Sequence, residues 1–309
     1  MAQRRKRRSP RKASGTNRTD ELYASITARI IADLEKGVAT WHKPWNASGT
    51  AEMPLRANGQ PYKGVNVLLL WSEAMDKGYT GRHWFTYKQA AEVGGQVRKG
   101  EKASYVFLAK PVTMREQDDN GEDVERKIHI RRAYPVFNAD QVDDLPDKFR
   151  QSVPAINPDA RDQAAADWFA KIGANVRHGG GRAFYRPGAD FIQMPEFGAF
   201  ESAEAYYATL AHEHVHWTGA GNRLKRQFGG RGTDDYAREE LVAELGAAFV
   251  CALLGLSAEP RADHSAYIGS WLRVLKGDPK AVVQAASLAQ AAADYLQAQA
   301  ESQAVALAA

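Results

Sequence analysis

The chain has one cysteine, Cys251, in 309 residues. A disulfide within the chain is therefore excluded, which fits a reducing compartment and an expected cytoplasmic location. Cys251 lies in an apolar helical stretch and is expected to be core. No apolar run approaches the about 20 residues of a membrane span. The cations at the N-terminus are not followed by an apolar stretch, so they do not read as a secretory signal. Zinc-finger spacing and an RNP-type aromatic motif are also missing. Acid is missing from residues 1–18, which hold eight cations: Arg4, Arg5, Lys6, Arg7, Arg8, Arg11, Lys12 and Arg18. Of 41 Lys and Arg in the chain, 33 remain outside this arm against 37 acids, so the net charge of +4 becomes −4 for the body. The arm is expected to be disordered and drawn to phosphate without reading sequence. A solubilising or targeting tail is the competing reading.

What is present begins with His212-Glu213-His214-Val215-His216, an H-E-x-x-H run in helix-forming sequence. At 3.6 residues per turn, His212 and His216 project from one face, one turn apart. Two such imidazoles suit one divalent cation, usually zinc, and Glu213 is placed to take a proton from its water. Gly219 and Gly221 signal the end of that helix. A third ligand is expected from the next strong helix, where Glu239, Glu240 and Glu244 adjoin an apolar run. Glu240 and Glu244 are four apart and share a face. Glu240 is the expected ligand and Glu244 the carboxylate that orients a ligand imidazole from behind. Glu239 is then a solvated neighbour, although Glu239 and Glu244 remain alternative ligands. His214 points off the metal face, and Asp234 and Asp235 are expected to cap the second helix.

The length allows two domains, each with its own core. Composition divides the chain into the arm (1–18), a first folded half (19–141), a polar, proline-bearing linker (142–160) and a second folded half (161–300). In the first half, Thr19-Asp20 opens a helix to about Glu35, and a buried helix starts at Val65. A short helix spans Lys88 to Val93. Strands are expected over Ser104–Leu108 and Ile128–Phe137, joined by the turn Asp118-Asp119-Asn120-Gly121. In the second half, a helix near 161–171 precedes short strands near 175–178, 183–186 and 190–193. Two metal-site helices follow, and then helices near 264–275 and 279–298, with a frayed end from Ser302. The expected class is α+β in two domains, the second zincin-like.

Residues 41–102 interleave aromatics, cations and glycines in loops. Single-stranded nucleic acid requires ring faces for stacking and cations along the backbone path. Trp41, Lys43, Trp45, Tyr62, Lys63, Asn66, Trp84, Lys88, Gln89, Arg98, Lys99 and Lys102 are the candidate contacts. Asn and Gln add donors and acceptors for base edges or sugars.

Several ordered motifs carry a resemblance: Trp41-His42-Lys43-Pro44-Trp45, Tyr62-Lys63-Gly64-Val65-Asn66, Trp84-Phe85-Thr86-Tyr87-Lys88-Gln89-Ala90, Gly95 to Lys102, and Tyr134 to Gln141. From about residue 19 to 300 the chain resembles the ArdC antirestriction family. The resemblance implies an N-terminal single-stranded-DNA-binding domain, shared with plasmid TraC-type primases, and a C-terminal zincin-like metallopeptidase domain. It implies metal ligands His212, His216 and Glu240, with Glu213 as general base, holding Zn2+ or another divalent metal such as Mn2+. It further implies protection of incoming mobile-element DNA from host restriction during conjugation. The expected partners are single-stranded DNA and a host restriction-modification or regulatory protein, with no membrane. Whether the metal site cleaves peptides stays open at this level. A regulatory metallopeptidase recruited to DNA and a non-catalytic DNA-binding module with a structural metal are the alternatives.

Overall fold

The computed structural model describes residues 15–36, 52–117, 123–150, 158–256 and 264–308. Trp41, Lys43, Trp45, most of the basic arm and the turn at 118–121 lie outside them. Helix α1 (Gly15–Glu35) starts four residues ahead of Thr19 and buries Ile26, Ile30 and Leu34, one stripe at helical spacing. After β1 (Leu55–Arg56), the run Val65–Trp71 opens helix α2 (Val65–Lys77), which ends on Gly78 at φ 67°. Strand β2 (His83–Phe85) leads into α3 (Tyr87–Glu92), started by a reciprocal cap between Thr86 and Gln89. Strands β3 (Gln96–Val97), β4 (Ser104–Gln117), β5 (Asp123–Asn138) and β6 (Val142–Asp143) follow.

The main sheet has the order β1-β2-β5-β4, and β4 and β5 form a long antiparallel hairpin from Ser104↔Val136 to Gln117↔Asp123. Both strands run further toward the turn than the apolar stretches predict. Cross-strand pairing carries polar residues into the ladder that composition alone assigns to loop. Asn66 ties α2 to this hairpin, accepting from Phe107 N at 2.7 Å and donating to Phe107 O at 2.8 Å.

The predicted linker needs correction. Strand β6 pairs with β3, and Val142, Leu145 and Phe149 are buried with Phe85, Ala90 and Val97 in a small second core. Residues 142–150 therefore belong to the first folded half. Their pattern was illegible because a two-residue strand and a 3₁₀ turn (Asp147–Phe149) are too short to show a period.

The second half begins with α4 (Pro158–Ile172). Strands β7 (Val176–His178), β8 (Phe184–Arg186) and β9 (Phe191–Met194) form a sheet of order β7-β9-β8, parallel in the first pair and antiparallel in the second. Helices α5 (Ala203–Thr218), α6 (Asp234–Leu254), α7 (His264–Gly277) and α8 (Ala281–Ala308) complete it. Helix α8 continues to Ala308, beyond the fraying expected from Ser302. The cap of α6 is the Thr233 hydroxyl, which accepts from Tyr236 N, while Asp234 and Asp235 occupy the first turn.

The two halves share one main core. Ile26, Ile30 and Leu34 of α1 join Trp271, Val274 and Leu275 of α7, and α2 joins α6 through Trp71 and Phe249, whose rings are 6.0 Å apart. The small side chains Ala285, Ala286, Ala289, Ala292 and Ala293 make α8 a narrow central rod on which neighbours pack closely. Polar ties reinforce the seam: Gly64 N donates to Gln290 Oε1 at 2.9 Å, and Thr27 donates to Pro279 O at 2.7 Å.

Helices α5 and α6 are in close contact at Gly246, where a Cβ would meet Val215 Cγ2 at 2.7 Å. Gly246→Val is expected to destabilise the protein by about 2 kcal/mol or more, because a stiff β-branched neighbour cannot yield. Urea unfolding that leaves the midpoint unchanged would refute the close contact. Phe149→Ala is expected to cost about 3 kcal/mol in the same assay, as for a core aromatic. A linker residue would cost almost nothing.

Candidate metal centre and nucleic-acid face

Ser202 accepts from Ala205 N at 2.9 Å and starts α5, the helix that carries His212, Glu213 and His216. From Tyr206 to Thr218 every residue of α5 is buried. The helix lies between the β7–β9 sheet and helices α6 and α8. Its polar residues are thus held in the interior, where each needs a partner. Helix α6 supplies them for His212 and His216. His212, His216 and Glu240 place one donor atom each within 4.8 Å of one another. The two Nε2 atoms are 3.0 Å apart, with Glu240 Oε2 3.5 Å from His212 Nε2 and Glu240 Oε1 3.6 Å from His216 Nε2.

Glu244 Oε1 stands 3.5 Å from His212 Nδ1, the ring edge opposite the cluster. The equivalent position on His216 is filled by Glu239. Its Oε1 accepts from His216 Nδ1 at 3.1 Å, which leaves the lone pair of Nε2 pointing into the cluster. The expectation that Glu239 is solvated is therefore wrong: it is buried and ion-paired. Arg226, from the loop after α5, donates Nε to Glu239 Oε2 at 3.0 Å and Nη2 to Oε1 at 2.9 Å. The same guanidinium donates to Thr218 Oγ1 and to the Val215 carbonyl, and so caps the end of α5. Gly219 serves this approach rather than a left-handed turn. Its φ is −75°, and a Cβ there would meet Phe228 at 2.7 Å and Arg226 at 3.0 Å. Nothing in the sequence marks Arg226 apart from its neighbouring cations in a glycine-bearing loop.

Electrostatics follow from these contacts. Burial opposes a charge on His216, but the Glu239 hydrogen bond and the charges of Glu240, Glu239 and Glu213 hold its pKa above the ordinary value. Burial likewise opposes the Glu239 carboxylate, yet His216 and Arg226 keep its pKa below the usual range. His214 is a packing residue. Burial lowers its pKa to about 4, its Nδ1 bonds the Leu210 carbonyl at 2.8 Å, and its ring lies against Phe169. Cys251 is buried core, its thiol pushed up to about 12 by burial.

The cluster opens on a cleft of about 1040 Å³, lined by Glu213 together with Tyr185, Phe200, Phe228 and Tyr236. Burial, with hydrogen bonds to Tyr267 and Glu240, raises the Tyr236 pKa, so its hydroxyl stays protonated. Sequence reasoning missed Tyr236, although it stands one turn ahead of Glu240 on α6.

Among the described residues, the nucleic-acid candidates do not form one surface. Trp84 is 1% exposed and packs edge-on against Tyr79, 5.9 Å away. Tyr62 is buried, and Asn66 spends its amide on the Phe107 backbone. These three are corrected to structural roles, since a side chain enclosed by protein offers no face to a base. Gln89 is committed to the α3 cap, and Lys63 to Asp294 of α8 at 2.8 Å. Arg98 is held by Glu101 and Asp143. Lys88, Lys99 and Lys102 are exposed.

A zincin-like half carrying this cluster, packed on an N-terminal half built around the β1-β2-β5-β4 sheet, defines a two-domain α+β protein of metallopeptidase type. Residues 163–288 match the family described as zincin-like metallopeptidase, and residues 20–137 match the N-terminal domain of anti-restriction factor ArdC. The chain belongs to the ArdC antirestriction family. It is 46% identical to the metal-free crystal structure of the antirestriction ArdC protein from the R388 plasmid, with a TM-score of 0.77 over 91% of this chain and 98% of that one. For the Mn(II)-bound structure of that protein the values are 44%, 0.74, 90% and 98%. An uncharacterized protein, y4eC, of Sinorhizobium fredii is 41% identical over 90% of this chain and 92% of its own length. DNA primase TraC of Escherichia coli is 37% identical over 89% of this chain, which spans only 27% of that primase. No helix among the described residues is long and apolar enough to cross a membrane.

Arg226→Ala would leave the buried Glu239 carboxylate without its counter-charge, an expected loss of about 3 kcal/mol or more in chemical denaturation. An unchanged midpoint would show that the ion pair is not needed.

Proposed function

We propose that this chain is a single-stranded-DNA-binding antirestriction protein of a mobile element, with a divalent-metal site of metallopeptidase type. The observation that carries the metal site is the convergence of His212, His216 and Glu240 donors at the floor of an open cleft in a zincin-like domain. The donor set of two imidazoles and a carboxylate suits Zn2+ and also Mn2+, the ion in the R388 ArdC structure. Those three residues would hold the cation, which supplies Lewis acidity toward a water or carbonyl oxygen. Glu239 and Glu244 orient the two imidazoles from behind. Glu213, buried beside the ligands and facing the cleft, is the general base that accepts the proton. The Tyr236 hydroxyl is a fixed hydrogen-bond donor at the cleft wall.

The DNA-binding part rests on the match of residues 20–137 to the ArdC N-terminal domain and on the exposed cations of that half. That R388 ArdC is an antirestriction protein supports protection of entering DNA as the biological role. A host restriction-modification or regulatory protein is the proposed occupant of the cleft, in the cytoplasm where restriction acts.

Mn2+ or Zn2+ at about 100 times its Kd is expected to stabilise the protein by about 2.7 kcal/mol, raising Tm by several degrees. His212→Ala should abolish that shift. A wild-type Tm indifferent to both ions and to chelation would eliminate the metal site. Glu213→Gln should retain the metal-induced shift while peptide hydrolysis falls about 10²- to 10⁴-fold. Transfer of unmodified DNA into a restricting host should rise when the protein is supplied; no rise would remove the antirestriction reading.

A further inference from the structure

The corrected positions of Trp84, Tyr62 and Asn66 leave open where the first half would meet single-stranded DNA. Successive strand residues face opposite sides of a sheet. Val106 and Val136 are buried in the main core, so Tyr105 and its register partner Pro135 stand on the other face. Phe85 and Phe137, also paired, point to that same second face. Half of it is covered by the small core around Phe149. Beyond Phe137 the described residues leave it uncovered: Tyr105 is 56% exposed, and Pro135 and Ala133 are exposed beside it. Tyr87, at the start of α3, borders this strip. Its ring meets Phe137 edge-on at 6.4 Å, its hydroxyl accepts from Gln96 Nε2 at 3.1 Å, and it too is 56% exposed.

Cations lie at the same end of the sheet. Gln141, four residues past Phe137, donates to the Lys102 carbonyl at 3.0 Å and accepts at its own carbonyl from Arg98 N at 3.0 Å. These bonds draw the 98–102 loop, with exposed Lys99 and Lys102, to the end of β5. Lys88 follows Tyr87 directly; its side chain is 86% exposed and meets only the equally accessible Glu92 carboxylate, one turn on at 3.5 Å, a weak surface pair. Lys99 and Lys102 carry no ion pair among the described residues, whereas Arg98 is neutralised by Glu101 and Asp143.

We propose that Tyr87 and Tyr105 are the base-stacking rings of a single-stranded-DNA platform on the outer face of the β5–β4 sheet, with Lys88, Lys99 and Lys102 along the phosphate path. Two exposed rings on a rigid sheet, bordered by exposed cations, are what sequence-tolerant binding of a single strand needs. This inference rests on the DNA-binding reading above and names the surface that performs it. Neither tyrosine stands out in the sequence, because a tyrosine within a strand or at the start of a short helix reads equally well as core.

The test is fluorescence anisotropy of a labelled oligothymidylate of about 20 nucleotides with the full-length chain across a salt series. Tyr87→Ala and Tyr105→Ala are each expected to weaken binding roughly 5- to 150-fold, with the salt slope and Tm unchanged. Tyr87→Phe and Tyr105→Phe, which keep the rings, should bind nearly as wild type. Lys102→Ala should lower the slope by about 1. If the wild type binds and both alanine variants bind equally well, the platform is overturned while the DNA-binding reading stands. Phe variants as weak as the Ala variants would overturn stacking. A wild type that does not bind the oligonucleotide overturns the DNA-binding reading and the platform with it.

Discussion

The Arg226–Glu239–His216 chain is the interaction on which the metal half depends. Helix α5 brings two imidazoles and Glu213 into the interior, and α6 answers with Glu239, Glu240 and Glu244, all buried. Four acids in one low-dielectric volume would repel one another and shift toward their neutral forms. Arg226 prevents this for Glu239 by a two-pronged hydrogen-bonded ion pair, whose geometry a lysine could not reproduce. Glu239 in turn fixes the tautomer of His216, so that Nε2 faces His212 and Glu240. One guanidinium therefore sets a helix end, a carboxylate and an imidazole together.

That arrangement requires the two helices to be close, and the closeness is built from small residues. Gly246 lets Val215 enter α6 two residues beyond Glu244, and the alanines of α8 let both halves of the chain rest on one rod. The apolar packing thus has a chemical consequence. It sets the distance across which the α6 carboxylates reach the α5 imidazoles. The cost of burying so many polar groups is offset by the main core, which extends through α1, α2 and the five helices of the second half.

In the first half the same rule works in reverse. Three of its candidate contacts resemble a binding surface by composition, yet they are consumed by the fold: Trp84 in the core, Asn66 as a clamp on the β4 backbone, Lys63 as a tie to α8. Aromatic and amide side chains serve packing and recognition equally well, so their presence in a loop-like segment does not decide between the two. Among the described residues of that half, the exposed rings are instead Tyr87 and Tyr105, one past a strand end and one within an edge strand.

The sequence by itself determined what periodicity and spacing encode. The i, i+4 relation of His212 and His216, the shared face of Glu240 and Glu244, the boundaries of most helices and the lone buried cysteine are local properties of a helical repeat. Which carboxylate stands behind which imidazole was decided only in three dimensions. Glu239 and Glu240 are adjacent, and only the packing angle of α6 on α5 sends one to the back of His216 and the other to its front. Arg226 reaches Glu239 across a loop with no period of its own, and residues 142–150 join the first half through a strand of two residues. Long-range contacts of this kind leave no repeat in the chain, and so tertiary structure alone assigns them.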